Sequence, residues 1–212
     1  MTELSGTGLI ADDLYLLAHN DLTGRPYVRP RALGLGLAGG LLSELMLNGH
    51  ISVWHEQIVT LGRAVPADRL ARHLLGVLAG EYERHPVRDW LLFVGRTAAD
   101  DVARRLAGAG YLARAGGRWR GQRWVPVDAD SAFSPIIRAR MALDASRPLT
   151  IHGAVLAGLA DACGLGFRLA PYATARPVRP LHHAVAQLAP SLQDLIAQTR
   201  AAVDSAVLTH RV

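Results

Sequence analysis

RALGLGLAGGLLSELMLNGHISVW, residues Arg31 to Trp54, is apolar almost all the way round a helix, with Ser43 and Glu44 the only polar interruptions before Asn48. A helix that is apolar on every side belongs in a core. Asn48-Gly49 supplies the stop, because glycine enters the left-handed C′ conformation without a Cβ clash. Beyond it Ile51 and Val53 alternate with Ser52, as in a short strand. Gly34, Gly36, Gly39 and Gly40 each forgo roughly 1 kcal/mol of helix propensity against alanine. Close approach of neighbouring helices is the compensation expected. The unbroken apolar run is about half the roughly 20 residues that a membrane span needs, and the helix carries a glutamate. The segment is therefore expected to be a core helix.

The 212-residue chain is 50% hydrophobic, enough to bury one sizeable core. No Pro-, Gly- or Ser-rich linker or charge block divides it, so residues 1–212 read as a single domain. The first residues, MTELSGTGLIADDLYLL, carry no basic stretch ahead of their apolar run, which argues against a secretory signal and for a cytoplasmic protein. Cys163 is the single cysteine; set in AVLAGLADACGL it reads as a buried, inert thiol. The formal net charge is +5 and the pI about 10.1. There is no lysine, so all 23 Lys/Arg positions are arginine. Between Arg96 and Arg140 lie nine arginines and four aspartates, an excess of 9 − 4 = +5 that equals that of the whole chain. Such a distribution points to polyanions, either phospholipid headgroups or nucleic acid.

N-terminal to the opening stretch, Asp12–His19 (DDLYLLAH) reads as a short amphipathic helix whose acids suit the dipole of its first turn, and Asn20–Arg25 as a turn. C-terminal to it, Pro66–Glu83 carries Leu70, Leu74, Val77 and Leu78 at helical spacing. Asp89–Val94 (DWLLFV) is one or two buried helical turns closed by Gly95. Thr97 and Asp100 have capping-box spacing before a helix with Val102, Leu106 and Ala109 inward and Gly110 at its end. A strand starts at Tyr111-Leu112; Gly116-Gly117 turns it into a second strand, Arg118–Val127, which Pro126 confines to an edge. Ser134-Pro135 reads as N-cap and N1 of the helix PIIRARMAL, Ile151–Leu165 as a second core helix, and Gly166–Val178 as loop. Leu181–Leu188 and Leu192–Val207 are amphipathic helices, the second with Leu192, Leu195, Ile196 and Ala202 inward. The sum is a predominantly helical protein with two small β elements.

No catalytic signature is present: no phosphate-binding Gly-rich loop, no nucleophile elbow, no His pair at metal-ligand spacing with an acid between. His182-His183 and His55-Glu56 are sequence neighbours whose side chains diverge on regular structure, so neither enzyme, cofactor nor metal site is expected. Functional weight falls on Arg104, Arg105, Arg114, Arg118, Trp119, Arg120, Arg123 and Trp124. Guanidinium binds phosphate bidentately, and tryptophan seats itself between headgroup and acyl chain. The hairpin is either a membrane contact or an edge strand guarded by charge, its Trp rings packed on the body. Alternation puts Arg118, Arg120 and Trp124 on one face, Trp119 and Arg123 on the other. A helix, a glycine and an Arg-bearing hairpin also describe a recognition helix with its wing. A winged-helix-like nucleic-acid binder is thus the alternative, opposed by Asp100 and Asp101 in that helix's first turn.

Four segments resemble the Golgi phosphoprotein 3 family and its bacterial relatives. HNDLTGRP (His19–Pro26) is similar to the family's acidic turn with glycine. ALGLGLAGGLLSELMLNGHI (Ala32–Ile51) is similar to its small-residue helix, with the glutamate and the glycine stop in register. DVARRLAGAGYL (Asp101–Leu112) resembles the helix-Gly-strand element before its hairpin, and LTIHGAVLAGLADACGL (Leu149–Leu165) its late apolar helix. The resemblance implies a mainly α fold, a compact helical core with surrounding amphipathic helices and a protruding β-hairpin, in a non-enzymatic peripheral membrane protein. Eukaryotic members bind phosphatidylinositol 4-phosphate in Golgi membranes through a Trp and several Arg, and recruit glycosyltransferases. By ungapped matching the Trp falls on Arg29 and the arginines on Ala38, Arg96 and Ala99, so only Arg96 is kept, with Arg29 and Arg31 completing a looser anionic pocket. The lipid-binding residues expected are Arg29, Arg31, Arg96, Arg118, Trp119, Arg120, Arg123 and Trp124. The partners expected are anionic phospholipid on the inner face of a membrane, further proteins, and a second copy through the hairpin; nucleic acid is not.

Overall fold

The structure, a computed structural model, describes residues 7–62, 65–115, 123–169 and 179–208. Its axis is α2 (Pro30–Leu47), buried on every side from Ala32 to Leu45. Around it pack α1 (Ile10–Ala18), α3 (Arg69–Gly80), α4 (Val87–Val94), α5 (Ala98–Gly108), α7 (Ile151–Ala162) and α10 (Pro190–Leu208). An outer layer consists of α6 (Ala129–Leu143), lying on α1 and α7, with the short α8 (Gly166–Leu169) and α9 (Leu181–Ala186) against α7. The glycines of α2 have the role expected of them. A Cβ at Gly34 would collide with the Gly95 carbonyl at the end of α4, and one at Gly40 would come within 2.9 Å of the Ala11 Cα on α1. The close crossings replace with packing what the glycines forgo in propensity. Among the described residues no helix is long and apolar enough to cross a membrane.

After α2, Gly49 takes φ +69 and β1 (Ile51–Trp54) follows. It pairs antiparallel with β2 (Gln57–Thr60), a strand absent from the sequence reading. The two-residue loop between them is His55-Glu56, with φ of +47 and +60. That conformation favours Asn-Gly, so the sequence carries no signal for it. The second sheet pairs β3 (Leu112–Ala115) with β4 (Arg123–Pro126), Leu112 opposite Pro126. The expected turn at Gly116-Gly117 lies outside the described residues.

Several expectations need correction. The first helix is not amphipathic: all nine residues of α1 are buried, Asp12 and Asp13 included, because both acids find cations inside the protein. Thr97 is the N-cap of α5 but makes no side-chain cap bond; its own amide, which Asp100 was to receive in a capping box, donates to the Val94 carbonyl at 3.2 Å. Ala109 is the C-cap of α5 and exposed, while Ala103 takes the inward place. The sixth helix starts at Ala129, not at Ser134. Asp128 caps it by accepting from the Ser131 amide at 2.8 Å and hydroxyl at 2.7 Å, and Pro135 lies within the helix. Gly166–Leu169 forms a helical turn where loop was expected. Cys163 is buried as expected, and burial pushes its thiol up to about 12, leaving it protonated and inert.

Candidate functional site

Among the described arginines between Arg96 and Arg140, three turn inward. Arg105, on α5, donates through Nε to Asp12 of α1 at 2.8 Å and through both Nη atoms to Glu44 of α2 at 3.0 and 3.1 Å. It also reaches Asp68, the N-cap of α3, at 3.2 Å. Burial pushes the Asp12 and Glu44 carboxyls above their ordinary range, against the pull of the Arg105 guanidinium. Arg138 donates to Asp13 at 2.8 Å, and His152 Nε2 lies 2.8 Å from the same carboxylate. Arg140 donates to the Arg168 carbonyl at 3.2 and 2.8 Å. These three arginines hold helices together. On the outer face of α5 stands Arg104, paired with Asp101, so that helix presents acids and an internally neutralised cation where a recognition helix presents donors.

Two exposed arginines, Arg29 and Arg31, stand at the other end of α2. Arg29 is its N-cap with no side-chain cap bond, Pro30 follows, and the first turn holds no acid. The amides of Arg31 and Ala32 have no acceptor within the helix, and no acid of its own first turn offsets the positive end of the dipole, though Asp161 and Asp204 line a neighbouring cleft with Arg29 and Ala32. Arg29 and Arg31 are exposed, and with Pro30, Ala32, Ala206 and Val207 they line a cleft of about 460 Å³. Gly95 lies against Gly34, one helical turn beyond Arg31, so Arg96, exposed and next in sequence, stands at this same crossing. The backbone at Arg96 thus lies about one helical turn from the end of α2 that carries Arg29 and Arg31. Ala38, onto which ungapped matching put a family arginine, is fully buried in mid-helix and belongs to the core.

At the hairpin, Arg114 stands opposite Trp124, its guanidinium 4.9 Å above the indole. Trp124 is half-buried against the body, as the packed reading requires, while Arg123 is exposed. Arg118, Trp119 and Arg120 lie outside the described residues. The hairpin base adjoins the arginine cluster through one loop. A Cβ at Gly24 would strike the Trp124 carbonyl, and the five residue steps from Gly24 to Arg29 reach at most about 18 Å.

A further group was not foreseen. Tyr27, ahead of α2, lies under the Arg168 guanidinium at 4.6 Å and edge-on to Phe167 at 6.1 Å. Phe167 and Arg168 sit in the stretch expected to be loop, and nothing local ties them to Tyr27. Among the described residues no group of three or more His, Cys, Asp or Glu is placed to hold a metal ion. A family model described as Golgi phosphoprotein 3 (GPP34) matches residues 10–205 of the chain. No curated protein matches it.

Proposed function

The chain belongs to the Golgi phosphoprotein 3 family, and from that premise we propose that it is a non-enzymatic peripheral membrane protein that binds anionic phospholipid on the cytoplasmic face of a membrane and serves as an adaptor. The observation that carries this reading is the pair of exposed arginines, Arg29 and Arg31, at the N-terminus of α2, whose first turn holds no acid, with the exposed Arg96 following the Gly95 that packs on Gly34. A helix N-terminus and guanidinium groups favour the same ligand, a phosphate, the first by its dipole and amides and the second by bidentate hydrogen bonds. The ligand class is a lipid headgroup of the phosphatidylinositol 4-phosphate kind. With Arg29 at the family's Trp position and alanine at two of its Arg positions, charge rather than the position of the phosphate on the ring dominates recognition. Each arginine at an anionic surface contributes on the order of 1 kcal/mol. Attraction of that kind weakens with salt.

Vesicle flotation tests the reading. At low salt the protein is expected to float with phosphatidylcholine vesicles that carry phosphatidylglycerol or phosphatidylinositol 4-phosphate, and to remain behind with phosphatidylcholine alone. Equal recovery with neutral and anionic vesicles would overturn it.

A further inference from the structure

The loop between α1 and α2 displays apolar side chains for which the fold has no use. Its tip is locked: Asn20 Oδ1 accepts from the amides of Leu22 at 3.2 Å and Thr23 at 2.8 Å and from the Thr23 hydroxyl at 2.9 Å. The Gly24 amide closes the turn on the Asn20 carbonyl at 2.8 Å. On this rigid Asx turn Leu22 stands 85% exposed. The acid of the turn, Asp21, accepts from the Leu22 amide at 3.1 Å. Asn20 Nδ2 also donates to the Tyr27 hydroxyl at 3.1 Å, which ties the tip to the ring that Arg168 covers and Phe167, 60% exposed, meets edge-on. The bonds from Arg140 to the Arg168 carbonyl fix α8 in turn.

Three apolar side chains from two elements are therefore held in water by hydrogen bonds rather than by burial. Around them stand Arg25 and Arg29, both exposed, and Arg168. An aqueous surface gives such an arrangement nothing, whereas a bilayer interface rewards each part of it. Aliphatic groups enter the acyl layer, rings settle at headgroup level, and arginine stems reach from apolar surroundings to phosphate. The turn also rests on β4 through Gly24, beside the Arg114–Trp124 pair. Two arginine–aromatic pairs thus flank the leucine tip.

We propose that Leu22, Tyr27 and Phe167 form a wedge that enters the headgroup–acyl boundary of an anionic bilayer and seats Arg25, Arg29 and Arg168 against lipid phosphates. The proposal rests on the anionic-membrane reading above and adds to it which side of the molecule faces the lipid. The full chain, Leu22→Ser, Phe167→Ser and the double variant are compared by cosedimentation with phosphatidylcholine vesicles carrying phosphatidylglycerol, with melting curves of each. Leu22→Trp is titrated with the same vesicles made from lipids brominated in the acyl chains. The double variant is expected to bind on the order of tenfold more weakly or worse, having lost apolar area without changing charge, at an unaltered thermal midpoint. Leu22→Trp is expected to be quenched beyond the level of the unsubstituted chain. Equal binding by the double variant, or no added quenching, overturns the wedge and leaves the arginine cluster standing. Failure of the unsubstituted chain to bind the vesicles at all overturns both.

Discussion

Arg105 meets three carboxylates from three helices, so the pocket between α1, α2 and α3 holds more negative than positive charge when all are ionised. Glu44 is further held by the Ala11 amide, 2.8 Å from Oε1. Removing one partner from a buried ion pair costs about 3–5 kcal/mol, because the charge left behind has no counter-ion. Arg105→Met is expected to lose stability of that order at neutral pH. Its pH dependence follows from the carboxyls. Burial already raises Asp12 and Glu44 above their ordinary values of 3.8 and 4.5, and Arg105 opposes the rise; without it they rise further. A carboxyl whose folded value exceeds its unfolded one binds a proton in the native state that the unfolded chain lacks, so its stabilisation is present at low pH and is lost as pH rises through the folded value. The deficit of Arg105→Met against the unsubstituted protein is therefore largest near neutrality and shrinks as pH falls toward the carboxylate range. Paired melting curves across that range check it; a deficit equal at every pH would mean that the two carboxyls are protonated even when Arg105 is present.

Helix α2 shows how a crossing is written into a sequence and where such writing fails. At Gly34 a side chain would meet backbone, the Gly95 carbonyl, which cannot swing aside; Gly34→Ala must displace α4 and is expected to cost about 1–3 kcal/mol. Gly76, inside α3 and exposed, has nothing within 4 Å of a built Cβ, and Gly76→Ala is expected to add about 0.4–1 kcal/mol by restricting the unfolded chain. The two thermal midpoints should move in opposite directions; a matching fall would show that α3 tolerates no change there. Helix α2 was legible because its burial is symmetric, so no partner had to be known. Helix α1 was not, since the cations that neutralise its acids are 93 and 125 residues away, and without them two adjacent aspartates look like a solvated first turn. At α6 two caps competed. Asp128, with two bonds to Ser131, prevailed over Ser134-Pro135, whose serine hydroxyl instead donates to the Asp130 carbonyl at 2.8 Å. Strand β2 was hidden by a turn made without glycine. Of the site, the Arg29, Arg31 and Arg96 cluster came from the family resemblance; the meeting of Tyr27 with Arg168 spans 141 residues and leaves no local trace.

For the molecule as a whole, the arginines occupy two kinds of setting. Arg105 and Arg138 neutralise the acids of α1 in the interior, whereas Arg29, Arg31 and Arg96 stand in solvent at one end of an 18-residue helix about 27 Å long. Total charge alone does not separate the two; position does. Replacing all three exposed arginines by glutamine is expected to move stability by little, as surface changes do. At about 1 kcal/mol each, it should weaken binding to anionic vesicles on the order of a hundredfold and flatten its salt dependence. The hairpin supplies the second half of the test. Trp119→Ala with Arg120→Ala is expected to leave the thermal midpoint within a few degrees and to weaken the same binding. If cluster and hairpin touch one bilayer at once, each set of substitutions removes its own share and the losses add in free energy, as they do for distant sites on a rigid body. If the hairpin instead joins two copies of the chain, its variant loses vesicle affinity because two clusters no longer act in concert. Combining it with the arginine substitutions then costs less than the sum, and the hairpin variant alone is smaller in sedimentation without lipid. Additive losses with an unchanged sedimentation coefficient assign the hairpin to the membrane; a sub-additive loss with a smaller particle assigns it to the second copy.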